Sequence, residues 1–90
     1  MSLTPKGRQE LKARAHKLKP IVMIGSNGLT DAVKKEIDRA LNDHELIKIK
    51  VAAEDREARQ AVLAEITDAM QAELVQMIGS IGVLFRRNIK

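Results

Sequence analysis

Two short runs of this chain have the residue types and spacing to hold a ligand. The first is Gly25-Ser26-Asn27-Gly28, which follows the apolar run Ile21-Val22-Met23-Ile24 and precedes Thr30-Asp31. A glycine-bounded loop between a strand and a helix start brings bare backbone N–H groups and the positive end of a helix dipole to one point, which favours a phosphate. The nucleotide-binding P-loop is excluded, because Gly28 is followed by Leu29-Thr30 and not by lysine. A dinucleotide fingerprint fails for want of a third glycine. The second run, Gly79-Ser80-Ile81-Gly82, has the same spacing but lies between two strand-like segments, where it reads as a hairpin turn. His16 and His44 are the only side chains that titrate near neutrality without perturbation. Neither has a partner in the sequence that would orient it as a catalytic base, so both read as structural or surface groups. The chain has no cysteine and no metal-ligand spacing, so no catalytic residue, cofactor or metal is expected.

The charge adds direction to the loop. Net charge is +4, but residues 1–19 alone carry Lys6, Arg8, Lys12, Arg14, Lys17 and Lys19 against Glu10, a local +5. Arg86, Arg87 and Lys90 make the other end positive, whereas residues 54–71 are acidic at −3. A fold that joins the two ends gathers a positive field, and such a field attracts polyanions. RNA-binding KH domains clamp a nucleotide backbone with a G-x-x-G loop. The expected contacts are therefore Gly25, Ser26, Asn27 and Gly28, with Lys34 and Lys35 behind them, together with Arg8, Lys12, Arg14, Lys17 and Lys19 and the terminal Arg86 and Arg87. Phe85 is the only aromatic residue, and its apolar neighbours place it in the core. Base stacking on several aromatics is thus unavailable, and the grip should be on backbone and shape.

The elements that must position these residues follow from periodicity. Thr4-Pro5 starts a helix, with Leu3, Leu11, Ala15 and Leu18 as a narrow apolar stripe, and Pro20 ends it. Ile21–Ile24 reads as a buried central strand. A second helix runs from Thr30 to about Asp43 on Val33, Ile37, Ala40 and Leu41. Leu46–Val51 alternates, with Ile47, Ile49 and Val51 inward and Lys48 and Lys50 outward; whether those lysines meet a ligand is left open. A third helix begins near Asp55 with the stripe Ala58, Val62, Ile66 and Met70, and Glu54, Asp55 and Glu57 suit its N-terminal dipole. Leu74–Ile78 and Val83–Arg86 close the chain as two strands. The order α-β-α-β-α-β-β predicts one α/β domain over residues 1–90, with helices packed on a four-stranded mixed sheet.

Leu3-Thr4-Pro5-Lys6, Ile24-Gly25-Ser26-Asn27-Gly28-Leu29-Thr30, His44-Glu45-Leu46-Ile47-Lys48-Ile49-Lys50 and Val83-Leu84-Phe85-Arg86 resemble, in this order and spacing, the CRM (chloroplast RNA splicing and ribosome maturation) family. The resemblance covers nearly the whole chain. It implies a fold similar to the C-terminal domain of bacterial translation initiation factor 3, and RNA binding with Gly25–Gly28 as the family's loop. For a stand-alone bacterial member it implies ribosomal RNA of the large-subunit precursor as partner. The rival from another class is a protein-interaction module for an acidic partner, with the G-x-x-G only a turn. No apolar run is long enough to span a bilayer, and the N-terminus lacks a secretory pattern. The expectation is a cytoplasmic, non-enzymatic monomer without a small-molecule substrate.

Overall fold

The computed structural model describes residues 4–25, 27–53 and 55–87. Helix α1 spans Pro5–Ala15; the Thr4 hydroxyl caps it by accepting the Gly7 N–H at 3.0 Å, and Pro5 occupies the first turn, where its missing N–H costs nothing. The helix stops at Ala15, short of the expected end at Pro20. Leu18 N–H turns back to the Ala15 carbonyl, so Lys17 and Lys19 lie in the connection and not on the helix. Pro20 instead opens strand β1, Pro20–Ile24. Helix α2, Asp31–His44, is capped by Thr30 Oγ1, which accepts the Val33 N–H. Strand β2 is Leu46–Val51, helix α3 is Arg56–Met70, and strands β3 and β4 are Glu73–Ile78 and Ile81–Phe85. Asp55 caps α3 by accepting the Ala58 N–H at 2.7 Å. Leu3 and Glu54, named in the expected stripe and dipole set, lie outside the described residues.

The α-β-α-β-α-β-β order and the four-stranded mixed sheet are as the periodicity predicts. The strand order is β1-β2-β4-β3. β1 and β2 are parallel, as the α2 crossover requires. The β3–β4 hairpin then slots β4 between β2 and β3, antiparallel to both. β1 is consequently an edge strand, not the central one expected. Only its inward residues, Val22 and Ile24, are buried, whereas Ile21 is 49% and Met23 63% exposed.

The two sheet faces are covered unequally. Helices α2 and α3 both pack on one face, around Ile37, Leu41, Leu63 and Ile66 against Val22, Ile24, Ile47, Ile49, Val51 and Leu84. The α3 stripe differs from expectation: Leu63 and Ile66 are its buried residues, Val62 and Met70 are half-buried, and Ala58 is exposed. On the other face, α1 supplies Leu11 and Ala15 against Leu46, Val75 and Val83, with Phe85 packed alongside.

The G-x-x-G of the hairpin has a reason of its own. Gly79, at φ +56°, begins the turn with Ser80, while Ile81 and Gly82 already belong to β4. A Cβ on Gly82 would stand 2.6 Å from Leu63 Cδ2, so this glycine admits α3 to the sheet. Gly82→Ala is expected to destabilise the fold by about 1–3 kcal/mol. Leu63→Ala alone should cost about 2–5 kcal/mol. In denaturant unfolding the double variant should cost less than the sum, since shortening Leu63 removes the clash; additive costs would break the assigned contact.

Candidate nucleic-acid interface

The Gly25–Gly28 loop joins the end of β1 to the N-terminus of α2. The Gly28 N–H donates to the Gly25 carbonyl at 3.0 Å, which closes a four-residue turn, and the Thr30 N–H donates back to the Gly28 carbonyl. Gly28 has φ +72°, a conformation that side chains with a Cβ resist. Gly25 is not in that region, and a Cβ on either glycine would find open space. Packing therefore does not explain Gly25, and its missing side chain leaves the backbone there open to close approach. Asn27 is exposed, and Ser26 lies outside the described residues. Behind the loop Lys35 is exposed and Lys34 half-buried, while Asp31 in the first turn of α2 compensates part of the helix dipole. The loop base is anchored by the Ala52 N–H on the Ile24 carbonyl, and the Val51 N–H donates to the Ser80 carbonyl. The loop, the end of β2 and the hairpin turn thus share one end of the sheet.

The basic first helix lies toward the other end. α1 crosses the sheet from the β3 edge, where Arg8 Nη1 donates to the Leu74 and Val75 carbonyls at 2.7 and 3.0 Å. At the β1 edge, Arg14 and Leu18 approach Ile21 and Lys48. Arg14, Lys17 and Lys19 are exposed and Lys12 is half-buried. Strand β1, about 16 Å long at its five residues, separates these bases from the glycine loop. The interval between them is not neutral. Lys50 is exposed and pairs with Met23 in register, and half-buried Lys48 pairs with Pro20. These two lysines lie between the two expected contact regions. Ile21 and Met23 flank them, and no sequence signal marks those two, because a short apolar run between proline and glycine reads as buried.

Arg86 requires a correction. Expected as a terminal contact base, its side chain is only 17% exposed and folds inward. Nη1 donates to Asp38 Oδ1 at 2.8 Å and to the Met70 carbonyl at 3.1 Å; Nη2 donates to the Asp38 carbonyl at 3.0 Å and to Asn42 Oδ1 at 2.8 Å. The guanidinium fork joins the end of β4 to α2 and to the end of α3, a geometry lysine lacks. Arg87 is exposed. Arg8 is likewise half-tied to the β3 backbone. His16 is the C-cap of α1 and His44 the last residue of α2, both exposed. Among the described residues, no group of three His, Asp or Glu side chains is placed to hold a metal, and no helix is long and apolar enough to cross a membrane.

Residues 3–86 match the model of the CRS1 / YhbY (CRM) domain. The chain belongs to this family. An RNA-binding protein of Haemophilus influenzae is 52% identical over 85 residues, covering 94% of this chain and 86% of its own length. A protein of Pseudomonas aeruginosa named as a probable RNA-binding protein is 43% identical over 90 residues, all of this chain and 86% of the relative. The CRM fold here also superposes on the solution structure of a Staphylococcus aureus protein put forward as RNA-binding. That match has a TM-score of 0.87 and 34% identity, and covers 99% of this chain and 93% of that one. Within this CRM domain, Arg86→Ala should lower the unfolding free energy by about 1.5–3 kcal/mol, as for the loss of charged hydrogen bonds. Arg87→Ala should stay within about 0.5 kcal/mol of the parent. Chemical denaturation of the two variants measures the difference, and equal stabilities would remove the assigned role of the Arg86 fork.

Proposed function

We propose that this CRM domain binds structured RNA, without catalysis, along the β1 edge from the Gly25–Gly28 loop to the bases at the end of α1. The observation that carries this reading is Gly25: a glycine that neither a positive φ nor its packing requires, in an open loop at the end of an edge that carries exposed Lys50 and half-buried Lys48. A duplex presents one phosphate charge per ~1.7 Å of axis, so an edge of this length faces several. The contacts are Gly25, Ser26, Asn27 and Gly28 with Lys35 at one end, and Lys12, Arg14, Lys17 and Lys19 at the other. Arg87 and Lys34 stand at the margin. Lys50 joins the set by its place between the two. The names of the relatives support RNA as partner. The family resemblance supports ribosomal RNA of the large-subunit precursor, and hence a cytoplasmic assembly factor acting as a monomer without a small-molecule substrate. The rival, an acidic protein partner, is separated by RNase treatment of a native pull-down, which such a partner survives.

Gly28→Asp should impair RNA binding in a domain that still folds, since a carboxylate would face the phosphate. Gly28→Ala should fall between Asp and the parent. Both lose on the order of 1 kcal/mol of stability from the positive φ, so affinities are compared well below each melting point. Parent affinity should drop steeply as salt is added. Folded Gly28→Asp that binds RNA like the parent would reduce the loop to a turn.

The far end of the edge has its own test. Reversing Arg14 and Lys17 together to Glu should weaken binding strongly with the fold unchanged, because both side chains are exposed. Unaltered affinity in that double variant, measured by filter binding, would take α1 out of the interface.

A further inference from the structure

Where α1 ends against the β1 edge, the chain leaves a cleft of about 290 Å³. That volume is close to the lower bound of ~300–1,000 Å³ for small-ligand sites. Its apolar lining includes Leu18, Ile21 and Leu46, and its cations are Arg14, Lys19 and Lys48. Among the described residues, no carboxylate lines it. Leu18 is 38% and Ile21 49% exposed, so the apolar lining is partly open to solvent. None of the three cations forms an ion pair among the described residues. An apolar floor ringed by cations complements a flat, weakly polar body that carries an anion. Resting on the RNA-binding reading above, we propose that this cleft receives one unpaired nucleotide of the bound RNA. Its base lies on Leu18 and Ile21, and its flanking phosphates face Arg14, Lys19 and Lys48.

The cleft and the glycine loop bound the same strand, so the two readings are geometrically compatible. An RNA backbone held at Gly25–Gly28 follows β1 for about 13 Å before it reaches Ile21 in the cleft. His44 also lines the cleft, so the base is held by burial on aliphatic surface, by the Arg14 guanidinium plane and by the His44 imidazole. Such contacts accept any base, so the cleft reads the presence of an unpaired nucleotide and not its identity. The occupant is thus a bulged or looped-out residue beside a helix.

The test compares a fully paired RNA hairpin with the same hairpin carrying one bulged adenosine. The parent domain should bind the bulged hairpin about tenfold more tightly, the low end of the scale for stacking one base on an aromatic ring, here the His44 imidazole. Ile21 methyl resonances should shift on adding the bulged hairpin and not the paired one. Leu18→Ser with Ile21→Thr, both at exposed positions, should abolish the preference while affinity for the paired hairpin stays within about twofold. Equal binding of the two hairpins by the parent would overturn the nucleotide cleft and leave RNA binding standing. A preference that survives in the double variant would place the unpaired residue elsewhere and also overturn it. Binding to neither hairpin would overturn the RNA reading and the cleft with it.

Discussion

One helix has to cover a face of a four-stranded sheet, and that mismatch shapes the rest of the molecule. An 11-residue helix is about 16 Å long, enough to cross four strands whose outer members are about 14 Å apart. Its diameter is about 10 Å, whereas the strands of five and six residues run for about 17–20 Å. α1 therefore seals Leu46, Val75 and Val83 and leaves the other half of that face open. Met23, Lys50, Ile81 and Ile78, neighbours in register across all four strands, form the uncovered row next to the glycine loop. The opposite face carries two helices, which bury Ile47, Ile49, Val51 and Leu84. A surface combining apolar patches with cations arises because the covering is incomplete on one side.

The two G-x-x-G segments illustrate how identical spacing acquires different meanings. Gly82 is buried beneath Leu63, and its missing Cβ is a packing requirement of the fold. Gly25 and Gly28 face open space, so packing requires neither, and Gly28 at φ +72° serves the backbone of its own loop. The first glycine of each run is equally free of contacts, but Gly79 has φ +56° and serves the hairpin, whereas Gly25 has no such requirement. Both loops lie at the same end of the sheet, anchored through adjacent backbone bonds of Val51 and Ala52. These backbone bonds hold the base of the loop in place without help from side chains.

Arginine placement shows a related division. Arg86 follows β4, where the sheet ends, and its guanidinium reaches α2 and the last residue of α3 at once. It joins the covered face together, as Arg8 joins α1 to β3 on the other. The exposed bases Arg14, Lys17, Lys19 and Lys50 stand apart from these clamps. Some positive charge at the chain ends thus serves cohesion, and the remainder makes the external field.

Local chemistry in the sequence determined the seven elements, the caps at Thr4 and Thr30, the inward faces of β2 and α2, and the candidate loop. Those features depend on spacing of two or 3.6 residues and on the backbone freedom of glycine, all of which act within a few positions. The tertiary structure alone decided that β1 is an edge, that Leu63 and not Ala58 is buried beside Ile66 on α3, and that Arg86 turns inward. Each of these depends on which distant segment lies alongside: β4 inserting between β2 and β3 leaves β1 at the rim, and Gly82 makes room for Leu63. Ile21 and Met23 have the same apolar character as Val22 and Ile24; only the place where α1 stops decides that one pair faces solvent and the other the core.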